Sequence, residues 1–137
     1  MSYAKLIAKE YGKYQPLNFL IDLNGKQLEK SALICAIANA SQVGNGFTIS
    51  PASSMQDQEL EMVLIDKVPF INTMASGTRF VTQSINESKY FHSEKFNTEI
   101  TVKVKTSSPH YFHVDGEPFT GKGEYKIQMK TSNLKIL

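Results

Sequence analysis

Residues 31–40 read SALICAIANA, and the fold turns on how that run is buried. In a strand, alternate side chains point to opposite faces, so Ala32, Ile34 and Ala36 would line one face and Leu33, Cys35 and Ile37 the other. Both faces are apolar or small. Such a strand belongs at the centre of a sheet that is covered on both sides, and two-sided cover demands a second layer. The run continues a strand that begins at KQLEK (26–30), which is preceded by Asn24-Gly25 and by NFLID (18–22). Asn-Gly suits the left-handed conformations of a two-residue hairpin turn, so the two segments are expected to pair as a hairpin.

Working outward, LEMVLI (60–65) reads as a buried strand and EITVKV (99–104) alternates cleanly. HYFHV (110–114) and EPFTG (117–121) flank Asp115-Gly116, a strong short hairpin signal. GEYKIQMK (123–130) alternates again, and NLKIL (133–137) closes the chain. Helical spacing is confined to two places. YAKLIAKEYGKY (3–14) puts Tyr3, Leu6, Ile7, Tyr11 and Tyr14 on one side, and Pro69 can open a helix carrying Phe70, Met74 and Phe80, with Gly77 as a weak point. Seven or eight strands against two helices give a mainly β fold: a two-layer, mostly antiparallel β-sandwich-like domain with one or two peripheral helices. At 137 residues the chain forms one domain, long enough for a real core and too short for two.

Composition removes several classes of function. Lysine and arginine number 15 against 13 aspartates and glutamates, and the basic residues are scattered singly, so no stripe tracks a phosphate backbone and nucleic acid is not expected as a partner. The single cysteine, Cys35, excludes a disulfide framework and fits a small core residue in a reducing, cytoplasmic setting. No apolar run reaches the length of a bilayer span and no leader is read at the start, which leaves peripheral contact with a membrane open.

Chemistry has few candidate carriers. There is no GxSxG, Cys35 has no indicated histidine partner, and His92, His110 and His113 lack metal-ligand spacing. The glycines of VGNGF match neither the dinucleotide nor the P-loop pattern, and a lone G-x-G more often marks a loop needing positive φ. In MQDQELEM (55–62), Asp57, Glu59 and Glu61 follow a loop of small residues that exposes backbone carbonyls, a set that suits a hard cation, although from the spacing alone a solvated loop leading into a strand is the better reading. In FHVDGEPF (112–119), Glu117 stands before Pro118, which pushes it into extended geometry. From the residues alone that stretch is a hairpin turn first.

Taken in order, IANASQVGNGFTISPASSMQDQELEMVLI (37–65) followed by FHVDGEPF resembles the second domain of the diacylglycerol kinase and sphingosine kinase-like family of lipid kinases. Asn39 matches the family's asparagine at a strand end, Gly44 and Gly46 its loop glycines, Pro51 its proline, Asp57 its second acidic residue, and Asp115, Gly116 and Glu117 its V-D-G-E turn. The resemblance implies transfer of the γ-phosphoryl group of ATP to a lipid hydroxyl. Glu117 would be the base and Asp115 would help orient magnesium or the turn. Asn39, Gly44 and Gly46 would lie on the cofactor side, and Asp57, with carbonyls around Ser54 and Glu59, would bind a magnesium that braces the loop. Three departures stand out: Gln56 replaces the first acidic residue, Gln58 the glycine, and Glu61 an aspartate. They imply a cation site weaker than in relatives, or none.

The family's nucleotide-binding signature, Gly-Gly-Asp-Gly-Thr, is absent. The resemblance therefore implies that the chain is the lid half of a two-domain kinase, inert alone, whose partner is an N-terminal nucleotide-binding domain. An exposed apolar face is expected where that domain packs, and a second copy, as in a homodimer, would cover the same face. The alternative is a noncatalytic β module that shares the fold and binds a lipid or a partner protein.

Overall fold

The computed structural model describes residues 11–42, 48–69, 72, 79 and 84–130. These residues form nine strands: β1 (Leu17–Leu23), β2 (Lys26–Ala32), β3 (Ile34–Ala38), β4 (Leu60–Ile65), β5 (Phe91–Phe96), β6 (Glu99–Lys105), β7 (His110–Val114), β8 (Glu117–Gly121) and β9 (Glu124–Gln128). Every pairing is antiparallel. One sheet runs β2-β1-β6-β9, a second runs β3-β4-β5, and β7-β8 is a separate hairpin. The expected two-layer β-sandwich-like fold is what forms.

Side-chain alternation and register build the core together. On β1, Phe19, Ile21 and Leu23 are buried while Asn18 and Asp22 face away, and register sets those three opposite Val104, Val102 and Ile100 of β6. Cross-strand pairs of aromatic and β-branched residues on one face are the unit from which a stable sheet is made. Their inner faces meet Met62 and Leu64 of β4 and Phe96 of β5, with Tyr125 and Ile127 of β9 packed at the margin. The turn before β2 has the predicted form: Asn24 lies at φ 56° and Gly25 at φ 80°, and the Asp22 carboxylate accepts the Gly25 N–H at 3.0 Å. Both central residues are left-handed, as a type I′ turn requires.

SALICAIANA does not form one central strand. Its first two residues finish β2, where Ala32 sits opposite Leu17, whereas Ile34 opens β3 opposite Ile65. Between them Leu33 gives its N–H to the Ile65 carbonyl at 2.8 Å. The chain thus crosses from one sheet to the other at Leu33, and the apolar run reflects a crossing between layers. Among the described residues β3 is an edge strand, and Ile34 is exposed. The strand covered on both sides is β4. Its Met62 and Leu64 enter the sandwich, while Val63 and Ile65 enter a second cluster with Ile85 and Phe91 on the sheet's outer face.

β5 has no counterpart in the sequence reading. Its four inner positions, His92 to Lys95, are all exposed, and only Phe91 and Phe96 at its ends are buried, so no alternation signals it. Of the first expected helix, residues 11–13 are described and helical; the second, opening at Pro69, falls almost wholly outside the described residues, and Ile85–Glu87, beyond it, makes a 3₁₀ turn that the sequence reading did not place. Tyr11 is half-buried, and its hydroxyl accepts the Val68 N–H at 2.9 Å and donates to the Val68 carbonyl at 3.0 Å. Tyr14, expected on the packed side of that helix, is exposed. Tyr3, Leu6, Ile7, Phe70, Met74, Gly77, Phe80 and the closing NLKIL lie outside the described residues. Cys35 packs against the sandwich core, and burial pushes its thiol up to about 11, the behaviour of a structural cysteine rather than a nucleophile. Among the described residues no helix is long and apolar enough to cross a membrane.

Candidate functional site

The residues singled out in the sequence fall into two groups, one at an end of the β3-β4-β5 sheet and one on the β7-β8 hairpin. The first group gathers where β3 ends, β4 begins and β5 ends, because register aligns Ala38, Glu61 and Lys95 across the three strands. Asn39 follows directly after β3 and is exposed. Beyond it Gln42 and Thr48 form an antiparallel bridge, and Ser41 accepts the N–H groups of Ile49 and Ser50 at 3.2 and 3.3 Å. Those contacts close the feet of the loop that carries Gly44 and Gly46, which themselves lie outside the described residues.

At this end of the sheet is a carboxylate that the sequence grouped with Asp57 and Glu59 and marked as a departure from the family. Glu61 is buried at 1 % exposure, and Oε2 accepts hydrogen bonds from the hydroxyls of Ser50 and, at 3.0 Å, Ser53. Ser53 also lies 3.5 Å from the Ala38 carbonyl. A carboxylate out of water must have its lone pairs taken up, and here two serines from the small-residue loop supply the donors. The network ties the loop to the β3-β4 ladder. Its signal in the sequence was faint: two serines in a loop, far from an acidic residue in a strand.

The loop before β4 is a turn over residues 55–58. Gln58, where the resemblance calls for glycine, takes φ 58°, so the left-handed turn is kept without the residue that adopts it freely. That conformation costs a non-glycine residue about 1–2 kcal/mol. Asp57 steadies the turn: Oδ1 accepts the Glu59 N–H at 3.1 Å, and Oδ2 accepts a hydrogen bond from Lys95 Nζ at 2.6 Å. The same ammonium lies 3.7 Å from Glu59 Oε2. The Ser54 hydroxyl accepts the Gln56 N–H at 3.3 Å.

The Asp57 carboxylate, which the resemblance assigns to magnesium, is therefore directed at an ammonium. Among the described residues no three histidine, cysteine, aspartate or glutamate side chains converge as metal ligands. Magnesium demands an octahedron of oxygens at about 2.1 Å. As arranged, the Asp57 carboxylate, with the Glu59 side chain beside it, fits the lysine and not that shell.

The second group stands on the β7-β8 hairpin. Asp115 at φ 49° and Gly116 at φ 86° repeat the left-handed pair of the first hairpin, so this stretch is a turn by geometry as well as by sequence. Register places Val114 opposite Glu117 and Phe112 opposite Phe119, which puts all four side chains on one face. At the root of that face Phe112 stacks on Phe119 with centroids 5.5 Å apart and meets Tyr125 edge-on at 5.1 Å. His110 Nε2 lies 2.8 Å from the Tyr125 hydroxyl. These contacts fasten the hairpin to β9.

Its outer part is bare. Tyr111 is 87 % exposed, Val114 55 % and Phe119 48 %, and Glu117 and Asp115 are both exposed. The tip therefore presents a carboxylate beside an apolar, aromatic surface. Among the described residues no hydrogen bond or ion pair joins the two groups; they stand on different sheets.

No curated protein matches this chain. A "putative diacylglycerol kinase from Bacillus anthracis str. Sterne" is similar in structure, with a TM-score of 0.64 and 13 % identity over 90 % of this chain and 42 % of that one. A second structure described in the same words gives a TM-score of 0.62 and 14 % identity over 90 % of this chain and 46 % of that one. A third, a diacylglycerol kinase from the same organism, gives 0.57 and 13 % over 92 % and 44 %. At such identity the likeness is one of fold, and this chain spans less than half the length of those proteins. The sequence profile of the YegS C-terminal NAD kinase beta sandwich-like domain matches residues 1–137, and the chain belongs to that family.

Proposed function

We propose that the chain is the acceptor-side domain of an ATP-dependent lipid kinase, which transfers the γ-phosphoryl group to the hydroxyl of diacylglycerol or a similar lipid alcohol. The observation that carries this reading is the Glu117 carboxylate on the exposed face it shares with Val114, Phe112 and Phe119. A base for a lipid hydroxyl must sit where an apolar molecule comes to rest, and few polar hairpin tips offer that. The names of the similar structures, diacylglycerol kinases, support it.

In this reading Glu117 accepts the proton of the acceptor hydroxyl as its oxygen attacks the γ-phosphorus, and ADP leaves with the bond it breaks. Asp115 holds the turn that aims Glu117. Asn39 and the loop of Gly44 and Gly46 lie on the cofactor side. An N-terminal domain of the same protein binds ATP with the magnesium that accompanies it, and the protein works in the cytoplasm against a membrane surface. The apolar side chains of the hairpin rest on the lipid or on that domain.

The test is to supply the intact protein with radiolabelled ATP and magnesium in mixed micelles containing diacylglycerol or a sphingoid base. Label is expected in the lipid phase. Label in no lipid alcohol would set the reading aside in favour of a noncatalytic β module, and label in a water-soluble acceptor such as NAD would reassign the substrate.

A further inference from the structure

The turn before β4 holds an arrangement that its sequence does not favour. Gln58 is left-handed without being glycine, and four acidic or amide side chains, Gln56 to Glu59, follow one another at its tip. Two carboxylates of that turn, Asp57 and Glu59, point toward a single place, and a third, Glu61, lies behind them on β4. Like charges gathered so closely repel, and a loop that gathers them needs a cation. Lys95 brings one. Register places it opposite Glu61 on the neighbouring strand, so the β4-β5 ladder delivers its side chain to the end of the sheet where the turn folds back.

We propose that the Lys95 ammonium is the resident cation of the Asp57 turn, holding it in shape without a divalent metal. Lysine's charge is compact and has three donors to distribute among converging oxygens, which is what the turn offers. Asp57 Oδ2 takes one of them at 2.6 Å, and Glu59 Oε2 is within 3.7 Å. The hydrogen bond to Lys95 holds the Asp57 carboxyl below its ordinary range, with the Glu59 N–H adding to the effect; Asp57 in turn holds the Lys95 ammonium above its own. Both partners therefore stay charged throughout the neutral range. An ammonium tethered to β5 does not dissociate, so the turn is set as soon as the sheet has formed.

This inference stands apart from the kinase reading, since the turn is on a different sheet from Glu117 and its test reads stability and backbone order rather than activity. The experiment titrates magnesium chloride to millimolar concentration into the intact protein. It follows the thermal midpoint and, by NMR, the Glu59 amide, whose proton is held by Asp57. The parent protein is expected to show no shift in either. Lys95→Met is expected to lower the midpoint by a few degrees and to speed exchange of the Glu59 amide, and Lys95→Arg is expected to restore both in large part. A magnesium-dependent shift in the parent would overturn the proposal, because the metal would then have displaced the lysine. So would a Lys95→Met variant with unchanged Glu59 exchange. If Lys95→Met does not fold, the magnesium response of the parent and the behaviour of Lys95→Arg still decide the matter.

Discussion

Glu117→Gln in the intact protein is expected to lower turnover by about two orders of magnitude or more while leaving folding and ATP affinity nearly unchanged. The substitution keeps the side chain's size and its extended backbone before Pro118, so the hairpin has no reason to change. What it removes is the lone pair that takes the acceptor's proton. Because Glu117 is exposed and the turn is held by Asp115 at φ 49° and Gly116 at φ 86°, no core contact depends on the carboxylate. The loss should therefore appear in kcat, with KM for ATP unmoved. The same assay on Asp115→Asn separates base from turn, since asparagine tolerates the left-handed conformation that Asp115 adopts. That variant should retain far more activity than Glu117→Gln. Parental turnover in Glu117→Gln would leave Glu117 as part of a turn and nothing else.

The largest expected effect on stability is at Leu64. This residue is 0 % exposed on β4, which is covered on both faces, and its side chain enters the cluster that joins the two sheets. Leu64→Ala removes three carbons from a place where neither layer can collapse inward without moving the other, and the expected loss is about 2–5 kcal/mol. Against a domain stability of about 5–15 kcal/mol that is a large fraction. Tyr111→Ala, at a residue 87 % exposed on the hairpin, serves as a control and should cost no more than about 0.5 kcal/mol. Chemical denaturation of the two variants beside the parent checks both values. Equal losses would mean that β4 does not occupy the centre of the sandwich.

What could be read from the sequence was local. Asn24-Gly25 and Asp115-Gly116 each named a turn type through the residues that adopt positive φ, and both turns form as named. Alternation found β6 and β9, where one face meets the core and the other meets water, and the Asn-Gly turn placed β1. The failures came where burial depends on residues distant in sequence. SALICAIANA is apolar on both faces because the chain changes sheets at Leu33, and an apolar run has the same appearance whether it crosses between layers or lies in the middle of one. β5 is held by pairing with β4 and by a phenylalanine at each end, with four exposed positions between, so it has no period of its own.

The site shows the same division. The turn that carries Glu117 was legible because Asp-Gly and the following proline are contiguous with it, while the role of its carboxylate came from the resemblance alone. Lys95 was not, because it lies 38 residues from Asp57 and reaches it only through the β4-β5 register. Glu61 had the opposite fate: the sequence marked it as a departure in an acidic stretch, and the structure buries it against Ser50 and Ser53. A carboxylate between Leu60 and Met62 does not announce whether it faces water or two hydroxyls. Only the fold of the intervening loop decides that.

The central claim, that Glu117 faces the reacting hydroxyl, is tested most directly by a structure of the intact protein with a non-hydrolysable ATP analogue and a lipid alcohol bound. The predicted result is a Glu117 carboxylate oxygen within about 2.6–3.2 Å of the acceptor oxygen, with the acyl or sphingoid chain lying along Val114 and Phe119. An acceptor bound elsewhere, with the tip of the β7-β8 hairpin in bulk solvent, would contradict it.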